Sequence, residues 1–421
     1  MSGMHERPRA QIVNVGDELT SGEVTDTNGP FMAAWLREVG IELVSLQSIR
    51  DRKEEIVEAL RRAVSTAKFV LVSGGLGPTE DDRTREAIAA VAGVELVEHP
   101  EIRQKLLDFF ARMGRKPLEA TFRQAFFPAG ATVMENPVGS AAPFAVNVAD
   151  SVIIAMPGVP NELRTVFAGA VRELIQRITD GVKLEAAFDI YKAYGISESE
   201  VNEKLVDLIV EGSNPEVRLT VHDGEVWIHV SAHGKGAREL SSATGRVVAS
   251  RIGEFLFGQN DDTLPKAVAS LLTENGLKLS VAESCTGGLV GHLLTDVPGV
   301  SASFLADVVA YSNEAKTDLL GVDAKLIARE GAVSEAVALA MAQGIRQRSK
   351  SDFAVSVTGI AGPSGGTPQK PVGLVYIGVA TPQGSTAHKL QMRPPRELIK
   401  FRSAMTALNL LRKAILKHIQ E

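Results

Sequence analysis

The sequence predicts a three-domain α/β protein: a mostly parallel N-terminal sheet, a small α/β middle unit and a second α/β domain at the C-terminal end. Three observations predict it. Short apolar runs at 11–15, 69–73, 151–156, 277–282 and 354–359 alternate with stretches of helical period, the pattern of strands joined by crossover helices. Glycine is abundant, at 38 residues, and gathers in turns after those runs, while aromatics are only 5%, which suits strand-to-helix turns better than an all-β chain. A length of 421 residues carries a prior of about three domains. The expected boundaries are 1–180, 181–257 and 258–421.

Composition bounds the function. Hydrophobic content of 44% and charged content of 23% are those of a soluble globular chain. The net charge of −6 argues against a nucleic-acid or membrane-surface binder. The single cysteine excludes an internal disulfide and a cysteine-based zinc site. No secretory signal stands in the first 30 residues and no apolar run is long enough to span a membrane, so a reducing cytoplasm is expected.

The first third opens with a floppy start at 1–8. A strand at 11–15 then ends in the turn GDELTSGEVTDTN, 16–28. Phe31, Trp35 and Val39 have helical spacing, closed by Gly40, and a second helix carries Ile56, Leu60 and Val64. Strand FVLVS, 69–73, leads into GGLGPTEDD, 74–82, and a helix from Arg83 to Ala92. Ligands of such sheets bind at the carboxyl ends of strands, where both glycine turns fall. The second turn is a candidate phosphate cradle built on Gly75, Gly77 and Thr79, since glycines expose N–H groups ahead of a helix. It is neither a Walker A loop nor a dinucleotide fingerprint. Asp17, Glu18, Asp26, Asp81 and Asp82 lie on the same two turns. Hard oxygen ligands beside a phosphate site suit a divalent metal, Mg²⁺ or similar. The same acids also suit the first turn of a helix. Residues 121–144 are turn-rich without a period. Strand SVIIAM, 151–156, precedes PGVPNEL, whose Asn161 and Glu162 open a helix to Ile178.

TDGVKL, 179–184, reads as a linker. The middle unit has a first strand with Phe188, Ile190 and Tyr191, and a helix opened by Ser197. Runs at 216–221 and 225–232 are split by Asp223–Gly224, a hairpin signal. His229 and His233, four apart on one strand, are about 13 Å apart and do not share a metal. A helix from Ala237 to Phe255 closes the unit. No convergent chemistry appears, which suits a spacer or a dimer contact.

In the last third, 257–262 reads as a polar connector and Thr263 as the cap of a helix with Pro265 in its first turn. Strand 277–282 runs into VAESCTGGLV, 281–290. Glu283, Ser284, Cys285, Thr286, Gly287 and Gly288 there combine nucleophile-type side chains with a helix N-terminus, although Ser and Thr are ordinary caps as well. Tyr311 and Lys316 lie in a strand, turn and helix at 308–322. Two apolar strands flank a loop with glycines at 359, 362, 365, 366 and 373, able to wrap a phosphate or ribose with backbone donors or to be a plain surface loop. A long helix at 396–419 brings Arg396, Lys400 and Arg402, any of which can reach an anion. No G-x-S-x-G elbow is present, so an activated serine needs another base, and a desolvated lysine supplies one. Glycine N–H groups at 287–288 or 359–366 are candidate oxyanion donors. Cys285 competes with Ser284, because a helix N-terminus lowers a thiol pKa.

Taken together, the motifs resemble the CinA family, the competence/damage-inducible proteins, over essentially the whole chain. GDELTSGEVTDTN, SGGLGPTEDDRT, NPVGSAAPF and MPGVPNEL resemble its molybdopterin-binding-like N-terminal domain. The middle unit is similar to its KH-like domain, but lacks the G-x-x-G that clamps nucleic acid in true KH domains. VAESCTGG, AYSNEAK and VTGIAGPSGGTPQKPVG resemble its nicotinamide-nucleotide amidase domain. The resemblance implies two hydrolytic activities in a cytoplasmic homodimer. One deamidates nicotinamide mononucleotide to nicotinate mononucleotide and ammonia, with Ser284 as nucleophile, Lys316 as base, and Tyr311 and Thr358 assisting. Glu283, Thr286, Gly287, Gly288, Gly359, Gly362, Gly365, Gly366 and Arg396 or Arg402 would hold that substrate. The other cleaves ADP-ribose to AMP and ribose 5-phosphate at the metal and phosphate residues of the first third. An N-terminal domain that only binds a nucleotide or molybdopterin, or an interaction role in competence, are the alternatives. The chain departs from the family at Pro394–Pro395–Arg396, where Gly-Asp-Arg is frequent, at Lys400, where arginine is common, and at Ser364, where glycine is frequent.

Overall fold

Continuous burial, with successive side chains turned to opposite faces, builds the N-terminal sheet. The computed structural model describes residues 7–179 and 185–421. Its strands in the first third are β1 (Arg9–Val15), β2 (Glu42–Ile49), β3 (Phe69–Ser73), β4 (Leu96–Glu98), β5 (Phe126–Pro128), β6 (Thr132–Val133), β7 (Phe144–Val148) and β8 (Ser151–Met156). Six of them form a sheet in the order β2-β1-β3-β8-β7-β6, with β2, β1, β3 and β8 parallel and β7 and β6 antiparallel. Val13, Val70, Val72 and Ile153 pack on one face against Ile56, Leu60 and Ile88. Ile12, Leu71 and Ile154 pack on the other against Met32, Trp35 and Leu163. Burial on both faces is what a parallel sheet requires. From β1 the chain goes to one side for β2 and to the other for β3, so the crevice beyond β1 and β3 is a topological switch point.

The described chain divides into two compact units, 1–188 with 231–241 and 189–230 with 242–421. Most of the middle sheet lies in the second unit. Its strands β9 (Ala186–Tyr194), β10 (Glu216–His222), β11 (Glu225–His233) and β12 (Leu256–Gln259) take the order β10-β11-β9-β12. Asp223 and Gly224 both have positive φ, 51° and 96°, as a two-residue hairpin turn requires. Ser197 caps its helix with a full capping box through Glu200.

The C-terminal sheet repeats the logic of the first. Its strands are β13 (Leu279–Glu283), β14 (Phe304–Val309), β15 (Phe353–Gly359), β16 (Leu374–Thr381) and β17 (Gly384–Gln391), in the order β14-β13-β15-β16-β17. The first three are parallel and the last two antiparallel additions. Val281, Val355 and Ile377 face the helices Leu264–Glu274 and Arg396–Gln420. The opposite face is small, with Ala282, Ala354 and Ala380. There a Cβ at Gly378 would overlap the Ala338 carbonyl of the Glu335–Ser349 helix. Again β13 sits at the switch, with β14 on one side and β15 on the other.

Four sequence expectations need correction or a limit. Of the expected connector 257–262, residues 257–259 belong to strand β12, paired antiparallel with β9; an edge strand forms through backbone bonds and needs no apolar run. The helix expected to run unbroken to Ile178 is interrupted at Gly169, whose φ and ψ of −100° and −108° fall outside the helical range. Of the expected linker, 180–184 lies outside the described residues, as do 1–6 of the floppy start. Strands β2 and β17 and the helix Pro100–Arg112 went unmarked, because their half-exposed positions follow neither apolar period cleanly. No helix among the described residues is long and apolar enough to cross a membrane.

Candidate functional site

Both switch points carry a candidate site. In the first unit a cavity of about 510 Å³ opens over the turns after β1, β3 and β8, lined among others by Glu18, Asp26, Gly75, Gly77, Asp81 and Asp82. The sequence placed these residues together, and the structure brings them to one cavity. Their hydrogen bonds divide them. Asp26 accepts from the Asn28 and Gly29 N–H groups at 3.0 and 2.9 Å and from Asn14 Nδ2 at 2.7 Å. Asp82 accepts from the Gly77 and Thr79 N–H groups at 2.7 and 2.8 Å, and from the Thr79 hydroxyl. These two acids shape the turns, and the N–H groups of Gly77 and Thr79 are already occupied, contrary to their expected use as phosphate donors. A Cβ at Gly77 would overlap the Asp82 carboxylate, and one at Gly75, where φ is 66°, the Thr84 hydroxyl.

Sequence reasoning missed two residues of this site. Arg85 is buried and donates to the carbonyls of Leu76 and Gly77, anchoring the glycine loop from beneath; burial pushes its guanidinium below the usual range. Asp51, at the end of β2, exchanges backbone bonds with Asp17: each carboxylate accepts from the other's N–H, at 2.9 and 3.2 Å. Burial raises the Asp51 pKa first, and the charges of Asp17, Glu18 and Asp81 raise it further. A backbone bond lost inside a strand-end turn gives no sequence signal, which is why Asp51 was not found.

Among the described residues no three His, Cys, Asp or Glu converge on a single metal position. An all-protein cage is therefore not what the site offers. Mg²⁺ keeps waters and takes one or two carboxylates beside substrate phosphates, and the mutual repulsion of Asp17, Glu18, Asp51 and Asp81 fits that manner of binding. Asp26 and Asp82 fit least well as ligands, since each already accepts from three donors, whereas Asp17 and Asp51 each accept one N–H.

In the second unit the turn after β13 holds Ser284. Gly287 and Gly288 take φ values of 66° and 93°, a left-handed turn that suits glycine, and the Leu289–Thr295 helix follows. Lys316, on the Asn313–Leu320 helix, is buried. Its Nζ lies 3.0 Å from Ser284 Oγ, 2.9 Å from the Ala310 carbonyl and 3.2 Å from the Tyr311 carbonyl. Burial lowers its pKa. Cys285 points into the core, and burial pushes its thiol up to about 12, so the expectation that it rivals Ser284 is corrected: desolvation outweighs any help from the helix N-terminus.

The remaining expected residues separate. The N–H of Gly287 donates to Ser284 O at 3.1 Å and that of Gly288 to Glu283 Oε2 at 2.9 Å, so neither is an oxyanion donor. Glu283 is fully buried under the turn. The Thr286 hydroxyl is buried without a partner among the described residues. Thr358 is buried beside Gly359 and donates to the Ala332 carbonyl at 2.9 Å. Tyr311 is exposed, and its hydroxyl accepts from Arg396 Nη2 at 3.4 Å. Arg396 Nη1 also donates to Gly362 O at 2.6 Å, tying the glycine loop of Gly362, Gly365 and Gly366 to the Tyr311 segment. Lys400 Nζ stands 3.7 Å from the Cβ position at Gly287, over the serine turn. Arg402 lies on the side of Tyr194, whose hydroxyl bonds the Arg402 carbonyl at 3.4 Å.

Comparison with known proteins gives the same three-part order. Residues 11–177 match the family model described as "Probable molybdopterin binding domain", 189–258 match "Damage-inducible protein CinA KH domain", and 261–415 match "CinA C-terminal domain". A relative from Caldanaerobacter subterraneus, provisionally named a competence-damage inducible protein, is 38% identical over 96% of this chain and 98% of its own. The CinA-like protein of Kosmotoga olearia is 36% identical over 97% of this chain and 99% of its own. The crystal structure of competence/damage inducible protein CihA from Agrobacterium tumefaciens is 42% identical, covering 36% of this chain and 93% of that one, with a TM-score of 0.35.

Proposed function

The chain belongs to the CinA family, and on that premise we propose that its C-terminal domain, 258–421, hydrolyses the carboxamide of nicotinamide mononucleotide. The observation that carries this reading is the buried contact of 3.0 Å between Lys316 Nζ and Ser284 Oγ. A neutral lysine has two N–H groups and a lone pair. The Ala310 and Tyr311 carbonyls take the two N–H groups, which aims the lone pair at the serine hydroxyl. Lys316 then accepts the Ser284 proton as Oγ bonds to the carboxamide carbon. It returns that proton to the leaving nitrogen as the C–N bond breaks and ammonia departs. Water cleaves the remaining ester to give the carboxylate and free serine. The electron-poor pyridinium ring makes a modest nucleophile sufficient. The 359–366 loop supplies the oxyanion donors in this scheme, Thr286 and the glycine turn border the substrate, Tyr311 and Thr358 assist, and Arg396 or Lys400 meets the phosphate in preference to Arg402.

For the N-terminal domain, 1–180, the reading is metal-dependent cleavage of ADP-ribose to AMP and ribose 5-phosphate. One or two of Glu18, Asp51 and Asp81, which line the cavity, would hold Mg²⁺ beside the substrate phosphates, and its chemistry there would be to neutralise phosphate charge. A second reading, a binding module without catalysis, is favoured by one observation: Asp26 and Asp82 are committed to backbone N–H groups. The protein would act in the cytoplasm as a homodimer, through its 181–257 domain, without nucleic acid or membrane.

Ammonia release from nicotinamide mononucleotide by the purified chain tests the first reading. Absence of release from folded protein overturns it. AMP formation from ADP-ribose with and without Mg²⁺ decides between the two N-terminal readings.

A further inference from the structure

A pair of acids lies directly beneath the serine turn. Glu283, the last residue of β13, accepts the Gly288 N–H on Oε2 and the Gly291 N–H on Oε1, both at 2.9 Å. It thereby holds the turn to the first turn of the following helix. In the parallel pairing of β13 with β14, Asp307 is opposite Val281, so it shares a face with Glu283 two residues on. The two carboxyls meet at Gly291, whose N–H is held by Glu283 Oε1 and whose missing side chain leaves its place to Asp307 Oδ2. The other oxygen, Oδ1, is buried without a partner among the described residues.

Two carboxyls in contact in a poorly solvated place do not both ionise readily. Burial, followed by the Glu283 charge, lifts the Asp307 pKa to about 8. Among the described titratable groups, Glu283 is the one that acts on Asp307. Lys316 and Arg396 act on Cys285 from their own helices, while His292 and Asp296 of the helix over the pair face each other in solvent at 3.8 Å.

We propose that Asp307 is a positioning residue of the amidase site: the proton it shares with Glu283 keeps Glu283 locked on the glycine turn, and so keeps Ser284 Oγ on Lys316. This rests on the amidase reading of the same turn. Once the shared proton goes to solvent, two negative charges repel, Glu283 loses its hold on the Gly288 and Gly291 N–H groups, and the serine is no longer set against its base. The device adds an alkaline limb to the activity, separate from the acid limb set by Lys316.

The test uses the full chain and Asp307→Asn, whose amide keeps a donor to Glu283 at every pH. Three quantities are followed from pH 6 to 10: ammonia release from nicotinamide mononucleotide, the rate at which a fluorophosphonate labels Ser284, and Tm. The wild type is expected to lose at least about tenfold of its own maximal rate by pH 9.5, in ammonia release and in labelling, with a one-proton slope. Asp307→Asn is expected to show no such fall, and its Tm advantage over the wild type to grow as pH rises toward 8 and to level off above it. Superimposable pH profiles for the two proteins overturn the proposal, and so does a Tm effect with no change in either profile. Labelling of Ser284 without ammonia release from any form overturns the amidase reading alone, and the labelling profiles then judge the positioning role.

Discussion

Lys316 Nζ and Ser284 Oγ are 32 residues apart in sequence and 3.0 Å apart in space, both buried. Lysine is seldom buried without an anionic partner. Here two backbone carbonyls and a hydroxyl replace one. These three acceptors match the three N–H groups of an ammonium, and it is burial that favours the neutral amine, which keeps the two carbonyls and accepts from the serine hydroxyl instead.

Ser284→Ala is expected to lower ammonia release by at least about 10³-fold, the scale of removing a nucleophile from a concerted set. Cys285→Ala, by contrast, is expected to stay within a few-fold of wild type, because burial pushes its thiol up to about 12 and so keeps it un-ionised at neutral pH. Steady-state assays of both variants, with mass spectrometry for thiol alkylation, check this.

Lys316→Met is expected to cost about 10²- to 10⁴-fold in kcat, the usual range for a general base. Because burial lowers the Lys316 pKa, the wild-type rate rises with pH along an acid limb that lies below 10.5. The stability sign follows the same shift. Between the lowered folded value and 10.5 the unfolded chain binds more protons, so the wild type gains stability relative to Lys316→Met as pH rises through that window. Urea midpoints across pH 7 to 10 measure it.

Asp51→Asn is expected to have opposite effects on stability and on metal use. The Asp51 pKa is raised in the fold by burial and by Asp17, Glu18 and Asp81, so its stabilising share is complete below the unfolded value near 3.8 and is lost as pH rises through the folded value. At pH 7 the variant should melt higher than wild type without metal. It should also show less Mg²⁺-dependent stabilisation and less AMP formation from ADP-ribose. A lower Tm without metal would contradict the assignment.

Asp82→Ala removes the acceptor shared by the Gly77 and Thr79 N–H groups, and is expected to cost about 1–2 kcal/mol, the scale of a lost cap. Gly74→Ala should cost more, because φ there is 103° and a Cβ would overlap the Val15 carbonyl. Denaturant melts of both variants, read beside nucleotide binding at the N-terminal cavity, separate loop shape from overall stability.

Much of the architecture could be read directly from the residues. Val13, Val70 and Ile153, buried on one face, and Ile12, Leu71 and Ile154, on the other, belong to continuous apolar runs, which mark a doubly covered parallel sheet. Gly287 and Gly288 mark a left-handed turn, and Asp223–Gly224 a hairpin, through local backbone sterics alone. What only the tertiary structure decided depends on the crossing of chain segments distant in sequence. Thus β12 exists because β9 offers it an edge, Cys285 is inert because the core closes over it, Asp51 joins Asp17 across 34 residues, and Asp307 meets Glu283 through strand register. Local propensity is written in neighbouring residues; desolvation, charge proximity and the partner of each hydrogen bond are set by packing, and packing has no signature in a single stretch of chain.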